Sequence, residues 1–228
     1  MSLQKYFVED PTIYEIGVDE AGRGPLFGRV YAGAVVLPKD DTFDHSKMKD
    51  SKKFHSKKKI TEVAEYIEKN ALAWSVNYLE SEVIDEMNIL QATMECMKTS
   101  ILCCKKQLEE KYNNSEKMSL KQFQLLVDGN LFNPITEYDK INQKIVALPH
   151  ICIEGGDNKY SAIAAASILA KVHRDKYIED LCVEHPELSE KYSIDSNKGY
   201  GAKKHIDGIR QYGITQWHRK SFGICKNY

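Results

Sequence analysis

The sequence predicts an α/β fold in which helices flank a mixed β-sheet, with a small helical subdomain at the C-terminus. Short apolar runs of strand composition come first, and segments with helical spacing interleave with them afterwards. This order is typical of layered α/β domains. From about residue 193 the composition changes to glycine, aromatic and basic residues. We therefore expect a main domain over residues 1–192 and a subdomain over residues 193–228.

Five segments have the composition of strands, with β-branched and aromatic residues bounded by turn signals. They are residues 13–18, 30–37, 72–78 and 122–127, and a run within 144–153 that Pro149 interrupts.

Four segments carry apolar residues at helical spacing. They are residues 57–69, 90–111, 161–182 and 203–212. The first half of the third helix consists almost entirely of small residues, which would let its backbone lie close against a sheet. The same composition would suit any tightly packed core helix.

The composition indicates one globular core. The chain has 228 residues, of which 42% are apolar and 29% charged, as in ordinary globular proteins. No apolar run approaches the roughly 18 residues of a membrane span, and the first residues lack the layout of a secretory signal. Six cysteines without Cys-x-x-Cys spacing predict reduced thiols rather than a disulfide. We expect an intracellular monomer, cytoplasmic by default.

Positive charge is concentrated in two segments, although the formal net charge is −1. Residues 47–59 hold seven lysines and one acid, and residues 198–228 hold seven lysines or arginines and one acid. Either segment alone would be interpreted as a solvated face. Together with the acids described next, they favour a groove that follows phosphates.

Acidic residues follow several of the predicted strands. Asp19 and Glu20 end the first strand, before a turn that holds Gly22, Arg23 and Gly24. Asp128 ends the fourth strand, and Asp157 precedes the helix that starts at residue 161. Taken singly, each is an ordinary turn or helix-capping acid. Their joint occurrence beside a glycine-arginine turn predicts one acidic site at a sheet edge.

Such a cluster needs divalent metal or protonation, because two carboxylates about 4 Å apart repel by roughly 4 kcal/mol at an effective dielectric near 20. Oxygen ligands without cysteine or histidine favour Mg²⁺ or Mn²⁺ over zinc. Two such ions about 3.5–4 Å apart can activate water and stabilise the leaving oxygen of a phosphodiester. We therefore expect two-metal phosphodiester hydrolysis.

These segments resemble ribonuclease HII, the type 2 ribonuclease H family, from Tyr14 to about Phe222. The motifs follow the family's order: Gly-Val-Asp-Glu-Ala-Gly-Arg-Gly-Pro-Leu from residue 17, Lys-Asp-Ser-Lys-Lys from 49, Val-Asp-Gly from 127, Gly-Asp at 156, the small-residue helix at 161–175, Lys-Gly-Tyr-Gly from 198 and His-Arg-Lys-Ser-Phe from 218. The first and fifth of these motifs are specific, and the others would be weak alone.

The resemblance implies a ribonuclease H-like catalytic domain with a C-terminal substrate-binding subdomain. It implies an endonuclease that cleaves the RNA strand of RNA–DNA hybrids and nicks DNA duplex 5′ to an embedded ribonucleotide, leaving 5′-phosphate and 3′-hydroxyl ends. Roles in ribonucleotide removal and RNA primer removal would follow. By motif, the metal ligands and catalytic acids are Asp19, Glu20, Asp128 and Asp157.

The resemblance also assigns the substrate-reading residues. Main-chain groups of Gly22, Arg23 and Gly24 would contact the ribose 2′-hydroxyl, which distinguishes RNA from DNA. Tyr200 would pack on the neighbouring deoxyribose, although a lone tyrosine is otherwise a core or surface aromatic. Five further residues would contact phosphates or serve structural roles: Lys52, Lys53, Ser161, Lys171 and Arg174. His205 and His218 receive no role in the chemistry.

The chain departs from the family pattern next to the glycine turn. Phe27, Gly28 and Arg29 stand where a small residue, glycine and proline are common, so the shape of this turn and the substrate preference are open. Only a short segment precedes the first strand, so we do not expect the N-terminal domain of type 3 enzymes. The last residues contain no clear motif for a sliding-clamp partner.

Two other functions compete with this prediction. A junction resolvase or transposase-like nuclease would share the fold but would need no sensor for a 2′-hydroxyl. A non-catalytic binder of RNA–DNA hybrids would favour neutralised acids, whereas this chain keeps all four.

Overall fold

A computed structural model of the chain describes residues 3–112, 118–139 and 143–228. Within them lie seven strands: β1 (Tyr14–Ala21), β2 (Val30–Val36), β3 (Ala73–Leu79), β4 (Phe123–Asp128), β5 (Thr136–Asp139), β6 (Lys144–Ala147) and β7 (His150–Ile153). Five form the main sheet in the order β3-β2-β1-β4-β7, and β5 pairs with β6 in a separate two-stranded sheet. The prediction of a mixed sheet is confirmed.

Seven α-helices accompany these strands: α1 (Lys57–Asn70), α2 (Ser81–Met87), α3 (Ile89–Lys111), α4 (Ser161–Glu184), α5 (Pro186–Tyr192), α6 (Ile194–Asn197) and α7 (Lys203–Tyr212). The four predicted helices correspond to α1, α3, α4 and α7. Helices α2, α5 and α6 are not predicted by the sequence, because they have only four to seven residues each, too few for a helical period to be recognised.

The strand directions bring two predicted acids to one edge. β1 pairs antiparallel with β2 and parallel with β4, and β7 continues in parallel beyond β4. Val18 lies opposite Val127 in the β1–β4 register. The next residues along these strands, Asp19 and Asp128, therefore lie side by side at the carboxyl end of the β1–β4 pairing.

The helices cover both faces of the sheet, and alternate strand residues divide between the two. Ile16 and Val18 pack with α3 residues such as Met97 and Ile101. On the other face, Val35 packs with α1 and with the alanines of α4. Because both faces are buried, β2 is buried along its whole length.

Helix α4 lies unusually close to the sheet. A Cβ atom built on Gly17 would stand 2.1 Å from the carbonyl carbon of Ala162, and one built on Gly33 would stand 2.5 Å from the carbonyl oxygen of Ala166. No side chain fits at either contact. The small residues of α4 and the two glycines together hold the helix against β1 and β2.

A further apolar cluster forms the C-terminal part of the molecule. It joins the second half of α4 to α5, α6 and α7, with Ile178, Leu188, Ile194 and Ile209 fully buried. Phe27, from the turn after β1, is buried in the same cluster. The division at residue 193 stays a prediction, and the apolar contacts extend across it.

The predicted strand within residues 144–153 is two strands that belong to different sheets. β6 pairs with β5 and β7 pairs with β4, with Pro149 between them. Proline cannot donate to a strand ladder, so the chain changes partners there. Among the described residues, no helix has the length and apolarity needed to cross a membrane.

Candidate active site

Asp19 is a buried carboxylate among other acids. Its side chain is 5% exposed, and its Oδ1 accepts a hydrogen bond from the Glu20 backbone N–H at 2.7 Å. Burial, followed by repulsion from Glu20 and Asp128, raises the pKa of Asp19 well above its ordinary value, while hydrogen bonding from Ser167 partly opposes the rise. A bound cation would therefore stabilise the ionised form of Asp19.

Glu20 follows Asp19 and is less buried than it. Burial raises its pKa, Arg23 lowers it and repulsion from Asp128 raises it further. The guanidinium of Arg23 stands 3.3 Å from Glu20 Oε1. Since Arg23 is about half exposed, this ion pair is open to solvent and weak.

Asp128 influences each of the other acids. Its Oδ1 accepts a hydrogen bond of 2.6 Å from the backbone N–H of Gly156, which ties the end of β4 to the turn before α4. Asp128 also raises the pKa values of Asp19, Glu20 and Asp157. Asp128 thus interacts electrostatically with each of the three other predicted acids.

Asp157 lies in a 3₁₀ turn, Gly156–Asn158, immediately before α4. It is 5% exposed, and burial, then repulsion from Asp128 and Asp50, raises its pKa. Tyr160 occupies the N-cap of α4, so Asp157 does not cap this helix. Asn158 Nδ2 donates to Asp157 Oδ1 at 3.0 Å.

The acids interact in pairs, and some of their carboxylate oxygens already accept hydrogen bonds from other groups of the protein. Among the described residues, no group of three or more His, Cys, Asp or Glu side chains is arranged to enclose a metal ion. Glu20 is drawn towards Arg23 and Asp128 towards the Gly156 N–H. The donor set nevertheless fits Mg²⁺ or Mn²⁺, because it is all oxygen, it repels itself, and Asp19 has no cation among the causes of its pKa shift.

The Gly-Arg-Gly turn adjoins the acids directly after β1. Gly22 has φ +92°, and a Cβ built on it would stand 2.2 Å from Arg174 Nε. Both the backbone conformation and the lack of space therefore require glycine. Arg174 is buried at 3% exposure, and its Nη2 donates to the Lys198 carbonyl at 2.9 Å.

Arg219 binds the backbone of this turn and of the residues that follow it. The sequence patterns do not indicate this role. Arg219 is fully buried, and burial, then Arg174, lowers its pKa to about 9, so it stays cationic at neutral pH. Its guanidinium donates over 2.6–3.0 Å to five backbone carbonyls: those of Gly22, Arg23, Pro25, Gly28 and Arg29. The rigid fork of arginine suits such a set of acceptors.

Tyr200 lies beside the same turn. Tyr200 is 51% exposed. A Cβ built on Gly24 would stand 3.5 Å from its Cε1 atom. A hydrogen bond from Leu26 N–H to the Gly199 carbonyl, 2.9 Å, joins the two segments. The structure therefore brings together the turn predicted to contact the 2′-hydroxyl, which we call the notch, and the tyrosine predicted to pack on the deoxyribose.

The predicted phosphate contacts have different surroundings. Lys52 and Lys53 are exposed; Lys52 lowers the pKa of Asp157, and Lys53 Nζ donates to Asn158. Lys171 is paired with Asp175. Ser161 and Arg174 are buried, so both stand inside the protein beneath its surface. Contact of any of these five with substrate stays a prediction.

Arg29, one of the departures from the family pattern, is held in an aromatic clamp. Its guanidinium carbon lies 3.9 Å from the ring centre of Tyr78 and 4.2 Å from that of Tyr177, and its Nη2 pairs with Glu80 at 2.7 Å. It lines a cavity of about 610 Å³ that none of the four predicted acids lines. The charge of Arg29 is therefore satisfied away from the acids.

Comparisons with known proteins agree with one another. A family model described as Ribonuclease HII matches residues 16–225. A ribonuclease HII of Bacteroides thetaiotaomicron is 41% identical over 212 residues, 93% of this chain and 90% of that protein.

Solved structures show the same fold. The ribonuclease H2 of Pyrococcus horikoshii superposes with a TM-score of 0.65 at 23% identity, over 94% of this chain and 96% of that one. Bst-RNase HIII in complex with Mn²⁺ gives 0.55 at 20% identity, over 89% of this chain and 63% of that one. The fold is therefore ribonuclease H-like.

Proposed function

The chain belongs to the ribonuclease HII family, and on that basis we propose that it nicks duplex DNA on the 5′ side of an embedded ribonucleotide. The family establishes a ribonuclease H that acts on RNA–DNA hybrids and depends on divalent metal. The finer proposal includes 5′-phosphate and 3′-hydroxyl products and roles in ribonucleotide removal and RNA primer removal. The observation that supports it is the electrostatic interaction of Asp128 with Asp19, Glu20 and Asp157, together with the position of Tyr200 beside Gly24.

We assign the metal site to Asp19, Glu20, Asp128 and Asp157, and we propose Mg²⁺ or Mn²⁺ as the ion. When bound there, such ions supply Lewis acidity that activates water and neutralises phosphate charge. The protein's part is to keep Asp19 buried and Asp128 fixed by the Gly156 N–H. The crystal structure of Bst-RNase HIII, a protein of the same fold in complex with Mn²⁺, supports the choice of ion.

Selection of the ribonucleotide is assigned to the turn and to Tyr200. Arg219 binds the carbonyls of Gly22 and Arg23 and those of three residues that follow the turn, and we infer that the other main-chain groups of the turn receive the ribose hydroxyl. Tyr200 offers an exposed ring for the next sugar, where a second 2′-hydroxyl would be crowded. Together these groups would read the step from RNA to DNA.

A panel of labelled duplexes tests this function. We expect cleavage in Mg²⁺ or Mn²⁺ of a DNA duplex with one ribonucleotide, at the bond 5′ to that residue, and no cleavage of the all-DNA duplex. Mapping of the ends by gel mobility and by ligation should give 5′-phosphate and 3′-hydroxyl.

The same panel distinguishes the alternatives. Equal cutting of the all-DNA duplex would contradict recognition of the ribose and favour a general nuclease of this fold. Binding of the hybrid without cutting in either metal would indicate a non-catalytic binder.

A further inference from the structure

Two buried histidines form a hydrogen-bonded chain that ends on Tyr200. The backbone N–H of Thr215 donates to His218 Nδ1 at 2.9 Å. His218 Nε2 lies 3.1 Å from His205 Nε2, and His205 Nδ1 lies 2.9 Å from the Tyr200 carbonyl oxygen. The chain thus runs between two backbone groups whose roles are fixed.

These end groups determine the position of every proton between them. A backbone N–H can only donate, so His218 Nδ1 is unprotonated and its proton lies on Nε2. That proton is donated to His205 Nε2, which leaves the His205 proton on Nδ1, where the Tyr200 carbonyl accepts it. An added proton would set two donors against each other at one of the three links.

The surroundings favour the neutral form of both rings and enclose them. His205 is 0% and His218 1% exposed, and burial is the first cause that lowers each pKa. The ring of Phe27 packs edge-on against His218 at 5.1 Å, and Tyr192 packs against the same ring at 5.2 Å. The ring of Phe27, where the family commonly has a small residue, therefore packs directly on the histidine pair.

The histidine pair also lies in the connection between Tyr200 and the segment that follows the Gly22–Gly24 turn. Phe27 and His218 form an isolated antiparallel bridge, and the Arg219 N–H donates to the Leu26 carbonyl at 2.8 Å. His218 thus contacts Phe27, which follows the Gly22–Gly24 turn, through its backbone and its ring, and it is linked to the Tyr200 carbonyl through His205. A shift of either histidine would change the distance between the notch and the Tyr200 ring.

We propose that His205 and His218 are positioning residues, a neutral pair that sets the place of Tyr200 relative to the Gly22–Gly24 turn and so sets the preference for an RNA-to-DNA junction. This inference rests on the proposed function. Neither histidine touches substrate or takes part in the chemistry.

The proton positions can be tested without any activity. Long-range ¹H–¹⁵N correlation spectra of the labelled protein at pH 7 should show His218 as the Nε2–H tautomer and His205 as the Nδ1–H tautomer. Either ring in the other tautomer, or either ring charged, would overturn the chain of hydrogen bonds.

A double-mutant cycle tests the role in selectivity. Asn reproduces the Nδ1 position of histidine but not the Nε2 position. His218→Asn can still accept from Thr215, and His205→Asn can still donate to Tyr200, but each variant breaks the link between the rings. The readout is the ratio of kcat/KM for a single-ribonucleotide duplex to kcat/KM for a continuous hybrid, in which the fraction of folded enzyme cancels.

We expect each single variant to lower this ratio roughly fivefold, the size of one lost hydrogen bond. The double variant should lower it no further, because the same link is already broken. Tyr200→Ala gives the scale of complete loss. His45→Asn is the matched control, since His45 is also buried but lies against Tyr6 and Phe43, and its ratio should be that of the wild type.

The outcomes separate the two proposals. A wild-type enzyme without preference for the ribonucleotide would overturn the proposed function and this inference with it. A selective wild type whose two histidine variants keep the full ratio, or lose it additively, would overturn the inference alone.

Discussion

At the scale of single residues, the site trades stability for chemistry. Asp19 is buried with Glu20 and Asp128 as repelling neighbours, an arrangement that costs free energy until positive charge arrives. Arg219 is the opposite case, because five carbonyl acceptors satisfy its buried charge.

Asp19→Asn should abolish cleavage and at the same time stabilise the metal-free protein. The amide keeps an oxygen to accept from the Glu20 N–H but removes the repelling charge. We expect the free energy of unfolding in EDTA to rise by roughly 1–2 kcal/mol, measured by denaturant titration at pH 7, with cleavage lost in both metals.

Undiminished cleavage by this variant would remove Asp19 from the site. A loss of both activity and stability would mean that the carboxylate is a structural group. Asp195→Asn, an exposed acid on α6, is the control and should change neither quantity.

At the scale of elements, the contact of α4 with the sheet positions the site. α4 begins shortly after the turn that holds Asp157, and the backbone of its Ala162 lies against Gly17 of β1, the strand that carries Asp19 and Glu20. Any increase in the distance between α4 and β1 would separate Asp157 from the other acids.

Gly33→Ala should therefore destabilise the fold, because the new Cβ would stand 2.5 Å from the Ala166 carbonyl oxygen. We expect a loss of about 1–3 kcal/mol, measured as a fall in the free energy of unfolding. Gly201→Ala is the matched control, since its nearest contact would be an ordinary 3.5 Å. Equal stability of the two variants would contradict the close packing of α4.

The sequence predicted these elements unevenly, for physical reasons. Strands β1 to β4 and the long helices have clear periodicity or unbroken apolar runs. Strand β5 has four residues and an exposed tyrosine at 138, so no apolar pattern indicates it. Residues 144–153 form two strands because Pro149 ends one pairing, and sequence alone does not show which partner each half takes.

At the scale of the whole molecule, distant segments meet around one edge of the main sheet. The predicted acids could be named from the sequence because each follows a strand or precedes a helix. The part played by Arg219, His205 and His218 could not, since it depends on contacts with residues up to 197 positions away. The sequence shows the His-Arg pair at 218–219 as part of a motif, but it does not show the structural role of the two residues.

The buried histidines also affect the stability of the whole protein as the pH changes. Burial, then His205, lowers the pKa of His218 from its ordinary 6.5 to about 3. As the pH falls below 6.5, this histidine binds a proton in the unfolded chain but stays neutral in the folded protein. Stability is therefore lost between pH 6.5 and about 3, by up to about 1.4 kcal/mol per pH unit.

His218→Asn should reduce this loss. Denaturant titrations at pH 6.5, 6.0, 5.5 and 5.0 should give a shallower fall in the free energy of unfolding for the variant than for the wild type. The carboxylates titrate in both proteins, so the difference between the two slopes isolates the histidine. Parallel slopes would contradict a neutral, buried His218.

The central claim is that acids far apart in the sequence form one metal site, and Mn²⁺ binding tests it most directly. Titrations followed by electron paramagnetic resonance should show that Asp128→Asn weakens Mn²⁺ binding at least about tenfold, while Asp195→Asn binds as the wild type does. Equal binding by the wild type and Asp128→Asn would contradict the account, because Asp128 is the residue that interacts with all three other acids.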